Sequence, residues 1–397
     1  MYEKELKKLA NELLPKASAL ATYMYENPEL SCKEKLASEA MVKILRDNGF
    51  DVTYPFMEKE LGYGTAFKAV LERGAGPTAA IMVEYDALPE IGHGCGHNLH
   101  GSLSILSGLM LSKLPEGAFH GTLELIGTPG EEDDGAKLHM APAGVFDDCS
   151  LAIMMHSGSQ VSRSDSTATA LRCYVVEFFG KSSHAAGAPW GGQNAVTCAR
   201  KFLDLVDARR DTFHPGTIFS SVILDGGRQP NVIPDYAKVR LEFRYATKAE
   251  LGRLDRIVRN CAKGAAIALD CKEKFTLGFP DFYDMVQVPA LEDRITELFT
   301  DWGEPVEPPL PPKGSTDVGN VSYRCPAIQP KICITKKPYS THTPEFREAT
   351  QTPEAQKKMA LGAIVIAQII LDIFNDKEFR NQVREDFERA LKEKEGQ

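Results

Sequence analysis

Thr78-Ala79-Ala80-Ile81-Met82-Val83-Glu84 runs straight into Tyr85-Asp86-Ala87-Leu88-Pro89 and then into Gly92-His93-Gly94-Cys95-Gly96-His97. The apolar run from Ala79 to Val83 has the look of a strand buried on both faces. Pro89 cannot donate to a sheet ladder and stops it. The glycines then let the chain turn sharply. Asn98 is expected to cap a following helix, whose Leu99, Leu103, Leu106 and Met110 fall on one side. Thr122 to Thr128 reads as a second strand, ending at Pro129-Gly130-Glu131-Glu132. Leu151 to Met155 reads as a third, ending at His156. Strands that alternate with helices predict an α/β layer architecture. In such sheets a ligand site gathers at the carboxyl ends of the strands, where these polar residues stand.

Working outward, Leu6, Leu9, Leu13 and Ala17 give an opening helix its apolar face. The pattern changes near Leu171. LRCYVVEFFG, Ile218–Leu224, Val239–Tyr245 and CKEKFTLGF read as strands, with Asn194–Arg209 and Lys248–Ala268 as helices between them. That order predicts a small α+β domain of about 115 residues. Helical periodicity resumes at Leu291–Trp302, a loop is expected over Glu304–Pro312, and a long helix at Pro353–Phe374 closes the core. The expected organisation is a catalytic domain (1–170 and 287–397) interrupted by an inserted domain (171–286). At 397 residues, the chain suits two domains.

Hydrophobic residues make up 43% and charged residues 25%, with a net charge of -9, so a buried core is expected and a nucleic-acid surface is not. The opening residues show no apolar signal-peptide core. The apolar stretch Ala360–Phe374 carries Gln368 and Asp372 and reads as a core helix, so no membrane contact is expected. Nine scattered cysteines without a C-x-x-C pair favour free thiols and a cytoplasmic location.

Cys95 and His97, two apart in a glycine-rich turn, can face one metal ion. Taken alone they better suit a buried cysteine beside a capping loop. Glu131 and Glu132 follow a strand. One carboxylate can bind metal while its neighbour takes a proton from water, although Asp133 and Asp134 extend the run as in a solvated loop. His156 suits either the core or a ligand at the sheet's mouth, and His342 lies in a loop with no apolar reason for burial. His93 and His100 lie close enough to this region to support it. The H-E-x-x-H helix and the G-x-S-x-G elbow are both absent from the sequence.

Six strings together carry a resemblance: Asn27-Pro28-Glu29-Leu30, Glu84-Tyr85-Asp86-Ala87-Leu88-Pro89, Gly94-Cys95-Gly96-His97-Asn98, Thr128-Pro129-Gly130-Glu131-Glu132, Asn231-Val232-Ile233-Pro234-Asp235 and Gly314-Ser315-Thr316-Asp317-Val318-Gly319. In order and spacing the chain resembles, nearly end to end, the dinuclear metallopeptidase family of aminoacylase, hippurate hydrolase and carboxypeptidase G. The aminobenzoyl-glutamate hydrolase and dipeptidase branch is the nearest likeness. The resemblance implies a phosphorylase/hydrolase-like α/β catalytic domain with a mixed sheet between helices, interrupted by a smaller α+β lid and dimerisation domain. It implies two divalent ions, zinc or manganese, held by a bridging Cys95 with His97, Glu132, His156 and His342. Glu131 would be the general base, and Asp86 would orient the metal-binding loop. His184, reaching across from a partner subunit, and Asn231 would stabilise the oxyanion. Arg244 would hold the substrate carboxylate. The substrate would be an N-acyl amino acid or dipeptide, and the assembly a homodimer through the lid. One departure is Tyr25, where the family often has histidine. It is not a ligand in the pattern and is expected to change only the lining of the site. Two other readings compete: a thiol hydrolase using Cys95, and a non-catalytic metal-dependent binding protein.

Overall fold

The computed structural model describes residues 2–308, 311–312 and 314–396. Pro309 and Leu310, inside the loop expected over Glu304–Pro312, lie outside the described residues. The chain divides into two compact units, one of residues 1–167, 285–311 and 317–397, the other of residues 168–284 and 312–316.

The first unit is built on a six-stranded mixed sheet. Its order is Asp51–Thr53, Phe67–Arg73, Gly121–Gly127, Thr78–Val83, Cys149–Ile153, Ala327–Ile328. Each neighbouring pair among the first three strands is antiparallel, and the remaining neighbours pair in parallel. Thr78–Val83, buried from Ala79 onward, sits inside the sheet, as its unbroken apolar run requires. Helix His97–Lys113 packs across it and is buried at every residue from His97 to Leu111, so its apolar surface is not confined to one side. Gly101 makes this possible, because a Cβ there would lie 2.1 Å from the Glu84 carbonyl oxygen. Helix Glu3–Glu26 buries Leu6, Leu9, Ala17, Leu20 and Met24 at helical spacing. Helix Pro353–Asn375 starts on a Thr352 cap that accepts from Ala355 N. It is long and apolar enough to cross a membrane, but 72% of its apolar window is buried within the fold, as in a core helix.

Two local expectations need correction. Asn98 does not cap its helix. Gly96, at φ +90°, precedes a helix that already begins at His97, and Asn98 Nδ2 donates to the Ala21 carbonyl and to Thr350 Oγ1. Nor does His156 end the third strand, which stops at Ile153. His156 opens a separate short strand, His156–Ser159, paired in parallel with Lys331–Thr335.

The second unit has a four-stranded antiparallel sheet in the order Lys272–Leu277, Ala170–Phe179, Tyr236–Tyr245, Ile218–Asp225. Ala237, Val239, Leu241 and Phe243 alternate into a core shared with Phe202 of helix Ala195–Asp207 and Leu254 of helix Lys248–Ala268. The edge strand Ile218–Asp225 leaves Val222 53% and Leu224 52% exposed.

Candidate metal centre

The loop after Thr78–Val83 is pinned before it reaches Cys95. Tyr85 Oη donates to the Thr65 carbonyl at 2.7 Å. Asp86 is buried, and its Oδ2 accepts from Ser31 Oγ at 2.8 Å and from Glu132 N at 3.1 Å. Its Oδ1 lies 2.8 Å from His97 Nδ1, which also faces the Asp86 carbonyl at 2.9 Å. A proton on Nδ1 leaves the Nε2 lone pair pointing the other way. There it meets oxygens of Glu84 at 3.7 Å and of Glu131 and Glu132 at 3.9 Å each.

The other expected ligands close around this point. Cys95 Sγ lies 3.4 Å from His156 Nε2, while His156 Nδ1 donates to the Ser157 carbonyl at 2.7 Å. Cys95, His97 and Glu132 each offer a ligand atom within 4.8 Å of one another. His342 Nε2 stands 3.2 Å from Glu132 Oε1, in ion-pair range without the alignment of a hydrogen bond. A backbone bond from His342 N to the Gly94 carbonyl, 2.8 Å, ties the two loops together. Among the described residues, the buried His97 Nε2 and Glu132 Oε1 have no hydrogen-bond partner. Buried polar atoms are seldom left so. A thiolate, three imidazoles and a carboxylate facing inward with orphaned acceptors fit divalent cations.

Without an ion, the buried charges of the cluster act on one another. Burial, then Glu84, Glu132 and Asp317, push the Glu131 carboxyl well above its ordinary range. Burial alone would lower His97, but Asp86 and Cys95 outweigh it and hold the imidazole well above its usual value. Burial and Glu132 push the Cys95 thiol well up.

The sequence reading missed several supporting groups. Glu34 is fully buried and accepts from Cys32 N at 2.8 Å, Gly130 N at 2.9 Å and Thr65 Oγ1 at 3.0 Å. Glu34 and Asp86 therefore grip the Gly130 and Glu132 amides, holding the acidic loop from below. Glu84 receives Lys137 Nζ at 2.8 Å and lies 3.3 Å from His100 Nε2. Glu84 and Asp317 stood inside recognised strings, but nothing in those strings gave them a task. Tyr25 donates to Glu348 Oε1 at 2.7 Å, and Arg347 stacks over its ring at 4.3 Å.

His184, Asn231 and Arg244 belong to the second unit. His184 pairs with Val232, and Ala185 N donates to the Asn231 carbonyl at 2.9 Å, so the His184 and Asn231 segments lie side by side. His184 Nδ1 accepts from Ala186 N at 3.2 Å and Gly187 N at 3.0 Å. That fixes the ring proton on Nε2, free to donate. Arg244 lies 3.1 Å from Glu242 Oε2 and 3.2 Å from Ser315 Oγ.

Residues 170–268 match the peptidase dimerisation domain of the M20 family. The chain is 31% identical to a Mus musculus Xaa-Arg dipeptidase, over 98% of this chain and 93% of the relative. It is 28% identical to one of the subunits of Escherichia coli p-aminobenzoyl-glutamate hydrolase, over 62% of this chain and 54% of that one. A Bacillus subtilis dinuclear metal-binding peptidase of the M20 family shares the fold, with a TM-score of 0.66, 20% identity and coverage of 90% and 99%. With a relative this similar along nearly its whole length, and an α/β architecture to match, the chain belongs to the M20 metallopeptidase and amidohydrolase family and is an amide-bond-cleaving hydrolase.

Proposed function

We propose that this enzyme hydrolyses the amide bond of dipeptides or N-acyl amino acids, with two divalent ions held by Cys95, His97, Glu132, His156 and His342. The observation that carries the reading is the pair of orphaned buried acceptors, His97 Nε2 and Glu132 Oε1, beside Glu131. The relatives named for dipeptide and aminobenzoyl-glutamate hydrolysis support the substrate class, and the near full-length match to the dipeptidase favours dipeptides. The mixed thiolate, imidazole and carboxylate set suits zinc or manganese.

Bound there, two such ions would lower the pKa of a water molecule and polarise the scissile carbonyl. Glu131 takes the proton of the attacking water and returns it to the leaving amine. His184, through its Nε2 proton, and Asn231 stabilise the oxyanion. Arg244 holds the substrate carboxylate. Asp86 keeps His97 in the tautomer that leaves Nε2 unprotonated. The exposed apolar edge strand Ile218–Asp225, within the matched dimerisation domain, supports a homodimer through that strand. The nine free cysteines support a cytoplasmic setting.

Elemental mass spectrometry on protein purified without chelator tests the reading, beside Cys95→Ala and Glu131→Gln. The expected result is about two divalent ions per chain, a sharp fall in Cys95→Ala, and retained metal with turnover reduced about 100-fold or more in Glu131→Gln. Wild-type rates in Glu131→Gln would remove Glu131 as the base.

A further inference from the structure

Lys137 is fully buried and has no part in the hydrolysis above. Its ammonium lies 2.8 Å from Glu84 Oε1 and 2.6 Å from Asp317 Oδ1. Glu84, Glu131 and Asp317 each offer an oxygen within 4.8 Å of the other two. Carboxylate oxygens at that spacing have the chemistry to hold a hard divalent cation. A second observation points the same way. Asp317 is 0% exposed, and its Oδ2 has no hydrogen-bond partner among the described residues. Gly135 is what lets that oxygen fit, since a Cβ there would lie 2.4 Å from it.

The three acids are thus arranged to receive a cation, and the cation beside them is tethered to the chain. Burial alone would lower the lysine's pKa, but Asp317 and Glu84 outweigh it, so the group stays charged. We propose that Lys137, its ammonium paired with Glu84 and Asp317, holds the place beside Glu131 that a third divalent ion would otherwise take, and so limits the centre to two divalent ions. The consequence for catalysis rests on the reading of Glu131 as the base; the site itself does not. With Lys137 in place, Glu131 is free to move a proton. With a free divalent ion there, Glu131 would be a ligand.

Removing the ammonium leaves Glu84 and Asp317 buried without their partner. They must then take up protons or recruit an ion. Lys137→Met keeps the length of the side chain and removes the charge. The test is the number of manganese ions per chain, by elemental mass spectrometry after equilibration with manganese, for wild type, Lys137→Met and Lys137→Met/Asp317→Asn. The expected result is about one ion more in Lys137→Met than in wild type, returning to the wild-type number in the double variant. Turnover of Lys137→Met should fall through kcat, with KM little changed. A wild-type ion count in folded Lys137→Met overturns the proposal, because protonation would then have answered the lost charge. Should Lys137→Met not fold, the double variant decides. Folded protein with the wild-type count is expected, since one acid fewer removes the need for the cation, and failure to recover overturns the proposal. The comparison is a difference from wild type. A wild type that binds no metal would therefore defeat the two-ion reading, while an ion gained by Lys137→Met alone would still support the third site.

Discussion

Glu34→Ala and Glu34→Gln should behave very differently, and the contrast tests how the Glu131–Glu132 loop is held. Alanine removes the acceptor for three donors: Cys32 N, Gly130 N and Thr65 Oγ1. Each buried donor left unpaired costs roughly 1–3 kcal/mol, so the sum is about 3–5 kcal/mol once the loop relaxes. Glutamine keeps an acceptor oxygen in the same place. Burial and then Asp86 push the Glu34 carboxyl up to about 8, so it is mostly protonated at neutral pH and a neutral amide is its near-isostere. Glu34→Gln should therefore lie within about 1 kcal/mol of wild type near pH 4.5, where the folded carboxyl is neutral, and should be about 3 kcal/mol more stable than wild type at pH 7.

The pH dependence has a definite sign. The folded pKa of Glu34 lies above its ordinary value of 4.5, so the folded state holds a proton that the unfolded state releases. Its contribution is fully present below pH 4.5 and is lost as pH rises to about 8. At about 1.4 kcal/mol per unit, the loss across that window is at most about 5 kcal/mol. Glutamine has no such term, so its stability relative to wild type should grow from pH 5 to pH 8. The assay is urea unfolding of chelator-treated protein followed by tryptophan fluorescence. Trp302, whose Nε1 donates to Gln368 Oε1 at 2.7 Å, reports on the first unit. The other tryptophan, Trp190, is 84% exposed and changes environment little. Equal destabilisation by Gln and Ala at pH 7, or a gap to wild type that does not move with pH, would refute this account of the loop.

Asp86→Asn should weaken divalent-ion affinity about 10–100-fold by titration calorimetry, because it alters the group that orients His97 and accepts from Glu132 N; unchanged affinity would detach Asp86 from the centre. Val222→Lys places a charge on the exposed edge strand and should shift a dimer to monomer in sedimentation velocity, whereas an intact dimer would move the interface elsewhere. Glu292 is pushed up to about 7 by burial and Asp165, so its contribution to stability is lost as pH rises from 4.5 to about 7. Glu292→Gln should therefore gain thermal stability over wild type at pH 8 and not at pH 5, and a pH-independent difference would contradict this.

What could be read from the sequence divides by distance along the chain. Strand Thr78–Val83 and helix Lys248–Ala268 were legible because apolar runs and helical spacing are local. The Cys95–His97 and Glu131–Glu132 pairs were legible for the same reason, since the chemistry sits within three residues. Asn98 shows where local reading fails. An asparagine just before an apolar run has the form of a cap, yet its amide is committed to Ala21 and Thr350, 77 and 252 positions away. Glu34 is 96 positions from the Gly130 amide it holds, and Lys137 is 180 from Asp317. In a sequence, an isolated lysine after an acidic loop has every mark of a solvated surface residue. Only the fold can make burial tolerable for it, by bringing two carboxylates from distant segments to one ammonium. Motifs therefore name the groups that do the chemistry. The charges that keep those groups apart, and leave Glu131 free to act, come from pairings that no local pattern carries.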